Sequence, residues 1–273
     1  MNPLLLVVIV AAAVCAFCWI ASLVTKDTSW VDRLWSIVPV VYVWIFAAAS
    51  GLSDPRLVVM GVLATLWGAR LTFNFARKGG YTGMEDYRWA ILRERVSPAQ
   101  FQAFNLLFIV LYQNALLVLI TLPALTALEN PRPFGPLDAV LGVLFLGALA
   151  GETIADEQQW RFHRWKAAEV AAGREPSPRF LQTGLWSCSR HPNFFFEQAQ
   201  WWLFFLIGAA AAGTVLVWTV VGAALLTVLF IGSTMFTESI TRGKYPEYAE
   251  YQSRVSPIVP WFPRRHAVAV PEG

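Results

Sequence analysis

Long apolar runs separated by short polar segments dominate the chain. Apolar stretches occupy positions 3–24, 36–52, 57–75, 104–128 and 137–154, and a further apolar region covers 201–236. A helix needs about 20 residues, at about 1.5 Å each, to cross the hydrocarbon of a bilayer. Lipid offers no hydrogen bonds to an open backbone, so each run predicts a membrane helix. The last region is too long for one span and is broken by Gly208-Ala-Ala-Ala-Ala-Gly213, which predicts two helices joined by a tight turn. The predicted fold class is all-α and integral to the membrane, with seven transmembrane helices.

Composition agrees. Of 273 residues, 56% are hydrophobic and 14% charged, with a mean hydropathy of +0.50, whereas soluble domains carry about 25% charged residues. The first run lacks a basic leader and reads as an uncleaved span. Cys15, Cys18 and Cys188 supply neither a disulfide framework nor a metal set. Four polar segments hold 18 of the 21 Lys and Arg residues: 25–35, 76–103, 155–194 and the tail from Arg242 to Arg265. They alternate along the chain, so excess positive charge on the cytoplasmic side predicts an outside N-terminus and a cytoplasmic C-terminus. The soluble parts are too short for domains of their own, which predicts one membrane domain over 1–273.

The spans are nearly free of ionisable groups, Arg70 being the main exception. A solute pathway normally buries charges in mid-span, so chemistry is expected at the cytoplasmic face. Segment 155–202 is the richest. If helical, 155–166 sets Asp156, Gln159, His163 and Lys166 along one stripe. In Arg190-His-Pro-Asn-Phe-Phe-Phe-Glu197, Pro192 fits a first helical position, and the free N–H groups behind it suit an anion. Arg190 and His191 add donors there, while Asn193 and Glu197 share a face at i and i+4. The tail offers Glu238, Tyr245, Tyr248, Tyr251 and Arg254, suited to stacking on a ring and pairing with a phosphate, or to an interfacial belt.

These blocks resemble a known family. Thr183-Gly-Leu-Trp186 with Arg190-His-Pro-Asn-Phe…Glu197, and Lys244-Tyr-Pro-Glu-Tyr248-Ala-Glu-Tyr251…Pro260, are similar to the C-terminal domain of steroid 5-alpha reductases. The closest likeness is to bacterial membrane proteins grouped with those enzymes. They also carry Ser29-Trp-Val-Asp32-Arg-Leu-Trp35, Trp67-Gly-Ala-Arg70-Leu71 and Glu85-Asp-Tyr-Arg88-Trp89. The resemblance implies a multi-pass protein of a bacterial inner membrane that binds NADPH through its C-terminal half, 137–263. Its front half, 1–130, would receive a lipophilic substrate from the bilayer. The implied reaction is reduction of a C=C bond conjugated to a carbonyl, on a steroid-like or enoyl lipid. Asp156, Asn193 and Glu197 would be cofactor contacts, with His163, Lys166, Arg190, His191, Tyr248, Tyr251 and Arg254 nearby.

The chain departs from that pattern at two places. The reductases' early Gln-Glu pair is missing, leaving Asp32 and Glu85 as acidic substitutes and Tyr87 as the carbonyl donor. Phe196 stands where the family has glycine. Isoprenylcysteine carboxyl and phospholipid methyltransferases, which use S-adenosylmethionine, share an Arg-His-Pro-aromatic block, a later glutamate and a Tyr-x-x-Tyr…Pro tail. Asn193 with Glu197, the matching front half and the basic cluster favour the reductase expectation.

Overall fold

The computed structural model describes residues 1–83 and 85–263; Arg264 and Arg265 of the expected basic tail lie outside them. Among the described residues the chain is all-helical, without a strand. Its α-helices are α1 (Pro3–Thr25), α2 (Trp30–Trp35), α3 (Val38–Ala49), α4 (Pro55–Arg77), α5 (Tyr87–Arg95), α6 (Pro98–Phe104), α7 (Gln113–Glu129), α8 (Pro136–Ala171), α9 (Pro192–Ala212), α10 (Val220–Lys244) and α11 (Tyr248–Arg254). A π-helix, Asn105–Tyr112, joins α6 to α7, and a short 3-10 turn covers Gly184–Ser187.

Among the described residues, six segments are long and apolar enough to cross a membrane: Pro3–Thr25, Trp30–Ala49, Pro55–Arg77, Pro98–Glu129, Pro136–Ala171 and Val220–Lys244. Helix α9 stands in the place of the sixth expected span and opens with the polar Asn193, Glu197, Gln198 and Gln200. The turn expected at Gly208–Gly213 falls at the last of those residues, where Gly213 follows the end of α9 with φ +73°, a conformation that suits glycine.

Proline positions explain many of the boundaries. Helices α1, α4, α6, α8 and α9 begin at Pro3, Pro55, Pro98, Pro136 and Pro192, where the missing N–H costs nothing. Side chains cap the first three. Asn2 Oδ1 accepts from Leu4 N at 2.9 Å, Asp54 Oδ1 from Arg56 N at 2.8 Å, and Ser97 forms a reciprocal box with Gln100.

The chain divides into two compact units. The first comprises Met1–Leu146 and Gln200–Thr227, the second Gly147–Ala199 and Val228–Gly273.

In the first unit, small residues let helices approach closely. A Cβ on Gly68 would sit 2.5 Å from the Ser36 carbonyl oxygen. Pro123 lies inside α7 and leaves the Leu119 carbonyl without its helical donor; Gly222 packs against that same carbonyl. Arg56 and Asp138 form a buried two-pronged pair at 2.7 and 2.9 Å, and Arg56 also donates to the Arg132 and Pro133 carbonyls.

In the second unit the tail is pinned to the residues before α9. Arg190 N donates to Ser256 O at 2.8 Å, Ser189 Oγ to Ile258 O at 2.6 Å and Trp261 N to Cys188 O at 2.9 Å. Phe180, Tyr248, Tyr251 and Val255 pack together beneath it.

Candidate functional site

The second unit gathers its polar chemistry around the start of α9. The Thr183-Gly-Leu-Trp186 block docks on α8: Trp186 Nε1 donates to Ala155 O at 3.1 Å and Leu185 N to Gln158 Oε1 at 3.0 Å. Gly184 has φ +64° and lies against the Gln158 side chain, leaving no room for a Cβ. The chain then passes through Arg190 and His191 into Pro192, the first residue of α9.

Glu238, near the end of α10, is the hub. It receives Arg190 Nε at 2.6 Å and Nη2 at 3.0 Å, Gln252 Nε2 at 2.8 Å, and Tyr248 Oη at 3.4 Å. His191 Nε2 lies 3.1 Å from the same carboxylate. Arg190 Nη1 donates to the Gln252 and Val255 carbonyls at 2.9 and 2.5 Å. Four of the five guanidinium N–H groups are thus committed within the protein. Tyr251 Oη donates to the Trp186 carbonyl. Burial raises the phenol pKa of both Tyr248 and Tyr251, so at neutral pH both are uncharged donors.

All ten cofactor-side residues read from the sequence fall in this second unit. Arg190, His191 and Tyr248 meet at Glu238, and Tyr251 ties the two motif blocks together. Asp156 and Glu197 are buried, and Glu197 follows Asn193 by one turn. The Asn193 Oδ1 atom is buried and makes no hydrogen bond among the described residues. Lys166 pins the tail, donating to Arg179 O at 2.5 Å and to Tyr245 Oη at 2.9 Å, and the Lys166 ammonium lowers the Tyr245 phenol pKa. His163 is exposed on α8 with its ring beside Phe162. Arg254 lines a cleft of about 180 Å³ with Phe180, Gln182 and Tyr251. Phe196, the bulky departure, lies against Gly151, where a Cβ would come 2.5 Å from its ring. The missing side chain on α8 makes the room that the phenyl group takes.

The three substrate-side residues fall in the first unit. Glu85 accepts from Thr28 N at 2.9 Å and Thr28 Oγ1 at 2.7 Å, and Arg93 grips both of its oxygens at 2.6 Å. Burial pushes the Glu85 carboxyl up, but Arg93 and Thr28 outweigh it and hold it below the usual glutamate value. Asp32 lies on α2 within electrostatic reach of Asp86 and Arg88, with Oδ2 buried. Tyr87 opens α5 and is 55% exposed.

Sequence reasoning missed the weight of Glu238 and the role of Gln252. The signal for Glu238 was present: an acidic residue closing an otherwise apolar run needs a partner, but the sequence reading assigns Arg190 and His191 to an anion site instead.

A curated relative, the uncharacterised protein C594.04c of the fission yeast Schizosaccharomyces pombe, is 35% identical over 279 residues, covering 95% of this chain and 80% of its own. It comes from a fungus, and a bacterial inner membrane draws no support from it. No solved structure matches the chain. The family described as a protein of unknown function (DUF1295) matches residues 18–255, most of the sequence, and the chain belongs to that family.

Proposed function

We propose that the protein is an NADPH-dependent membrane reductase of a C=C bond conjugated to a carbonyl in a lipophilic substrate. In this reading it has seven spans, α9 being the sixth, with an outside N-terminus and a cytoplasmic C-terminus. The observation that carries the reading is Asn193. It sits in the first turn of α9, within the Arg190–Glu197 block, and keeps a buried carboxamide oxygen that no described residue satisfies. A buried polar atom without a partner is costly, and an amide N–H on a ligand would satisfy it. The nicotinamide carboxamide offers that donor, so the residue fits the cofactor. Asn193 and Glu197 would hold this end, with the N–H groups of the first turn of α9 adding positive potential.

NADPH would supply the hydride. The chain's own part is to bind and orient, and Tyr87 would hydrogen-bond the carbonyl oxygen, keeping its proton, as negative charge develops there. Glu85 is committed to Arg93 and Thr28, so its part is to hold the segment that leads into α5.

One observation favours the methyltransferase alternative. Arg190 spends four donors internally, which removes one expected phosphate ligand and lessens the preference for a polyanionic cofactor over S-adenosylmethionine. Parallel thermal-shift measurements with NADPH, NADH and S-adenosylmethionine on the purified full chain decide between them, since a ligand that binds only the folded state raises Tm. A shift with NADPH alone supports the reductase; a shift with S-adenosylmethionine alone replaces it. Accessibility of introduced cysteines at residues 2, 52 and 213 to an impermeant thiol reagent tests the topology: residue 2 must react from outside, as must the other two.

A further inference from the structure

A second cluster of polar side chains lies in the first unit. Helix α1 carries Cys15, Cys18 and Ser22 at i, i+3 and i+7, on one face, and Cys18 and Ser22 are buried. Cys18 lies within reach of both Cys15 and Asn114, and Tyr42 of α3 lies within reach of the two cysteines. Asn114 is the second residue of α7, just past the π-helix, whose Val110 carbonyl it caps with Nδ2 at 2.8 Å. Cys15 Sγ approaches the same carbonyl at 3.9 Å. One turn further along α1, Ser22 Oγ accepts from Asn105 Nδ2 at 3.0 Å.

The Val110 carbonyl can only accept, so this donation fixes the nitrogen end of the Asn114 carboxamide, and its oxygen is what remains. The Asn105 and Asn114 Oδ1 atoms and the Tyr42 hydroxyl are buried without a hydrogen-bond partner among the described residues. The three residues are 1%, 1% and 0% exposed. Each such group in a low-dielectric interior is costly, and three along one face of α1 call for a common explanation. The π-helix supplies the second observation. Its i→i+5 bonding is rare and occurs mostly at functional sites, and here it sets Asn105 and Asn114 against α1. The third is that α1 buries only Val7, Cys18 and Ser22 of its 23 residues, so it is the wall most easily displaced.

We propose that α1, α3 and the π-helical segment enclose a binding site for the hydroxyl end of an uncharged lipophilic molecule. Tyr42 and Asn114 are its hydrogen-bonding partners, and α1 moves aside to admit it. A hydroxyl both donates and accepts, matching the Asn114 oxygen and the Tyr42 phenol together. An uncharged ligand is specified because entry through lipid penalises a charge. The inference stands whichever cofactor the second unit takes.

The test uses the full chain in lipid nanodiscs with a 16-carbon alcohol carrying a mid-chain diazirine, and its methyl ether as the comparison probe. After irradiation, labelled peptides are mapped by mass spectrometry. The alcohol should label residues 15–22 or 105–114 saturably, and more strongly than the ether by roughly tenfold, the factor one neutral hydrogen bond contributes. Tyr42→Phe should reduce alcohol labelling by a similar factor while leaving Tm unchanged or raised, because it removes a hydroxyl that the folded protein does not satisfy. Equal labelling by alcohol and ether overturns the proposal, reducing the site to an apolar groove. Labelling confined to lipid-facing positions such as Leu5, Ile9 and Ile20 does so too. A lowered Tm for Tyr42→Phe also overturns it, since the hydroxyl would then have a structural partner.

Discussion

Replacing Glu238 by Gln isolates the role of the Arg190 hub. The carboxylate takes two prongs from Arg190 at 2.6 and 3.0 Å and one donor from Gln252 at 2.8 Å, with His191 at 3.1 Å. A carboxamide keeps one acceptor oxygen but turns an NH₂ toward Arg190 Nη2 or Gln252 Nε2, setting donor against donor. It also removes the counter-charge from a guanidinium that is 9% exposed. Breaking one side of a buried ion pair costs about 3–5 kcal/mol. At about 2–4 °C per kcal/mol for a chain near this size, Tm should fall by on the order of 10 °C. The assay is thermal unfolding of the detergent-solubilised protein, with hydrogen exchange of residues 255–261, whose backbone is pinned to Cys188–Arg190. Those amides should exchange faster in the variant. An Arg190→Met, Glu238→Leu pair should cost less than the sum of the single changes, because neither charge is then left alone. A Tm within about 2 °C of the parent for Glu238→Gln alone, or strict additivity in the pair, refutes the hub.

Asp138→Asn strands Arg56 in the same way and should cost about 3–5 kcal/mol, visible as a lower Tm with unchanged ligand-induced shifts; altered shifts would mean that this pair does more than hold the fold. Gly151→Val should collide with the Phe196 ring and destabilise by at least about 1–3 kcal/mol, the range for overpacking, and Phe196→Gly should restore most of the loss; absence of rescue breaks the proposed complementarity. Because the Glu85 carboxyl titrates below its ordinary value, its stabilisation is present above pH 4.5 and disappears as pH falls through the lowered folded value. Glu85→Gln should therefore flatten the acid limb of a Tm–pH profile below pH 4.5 and lower Tm above it; parallel profiles for parent and variant contradict this. On the proposed reductase reading, Glu197→Gln should weaken NADPH binding and Tyr87→Phe should slow turnover at unchanged cofactor affinity, so unaltered NADPH titrations or rates remove the respective residue from its proposed role.

The membrane helices were legible because lipid imposes one requirement, apolar length, that a sequence records directly. Their starts were less legible: Pro192 reads as a helix start, but Pro55, Pro98 and Pro136 also open helices, ahead of the apolar runs by which the spans were placed. The π-helix was not, because the extra residue per turn comes from how Asn105–Tyr112 packs, and its composition matches an ordinary span. The split of α9, with 192–199 in one unit and 200–212 in the other, has no local signal either. At the site, the sequence brought Asn193 and Glu197 to one face through helical spacing alone. It did not reveal that Arg190 reaches Glu238, 48 positions away, because long-range pairing is fixed by the fold that surrounds it.

That pairing changes how the Arg-His-Pro-Asn block is read. A cation beside a helix N-terminus suggests an anion site, and on spacing alone Arg190 qualifies. In the folded protein its guanidinium is enclosed by Glu238, Gln252 O and Val255 O, so it fastens the tail across the start of α9. The block can therefore recur in enzymes with different cofactors, since a fastening is independent of what binds beside it. In the proposed reading, discrimination between cofactors comes from groups whose hydrogen-bonding capacity is still unspent. At the start of α9 that group is the Asn193 carboxamide oxygen. Asn193→Leu should then abolish ligand-induced stabilisation while leaving the Glu238 network, and with it the parent's exchange rates at residues 255–261, intact. Faster exchange there would return Asn193 to a structural role and remove the observation on which the proposed cofactor site rests.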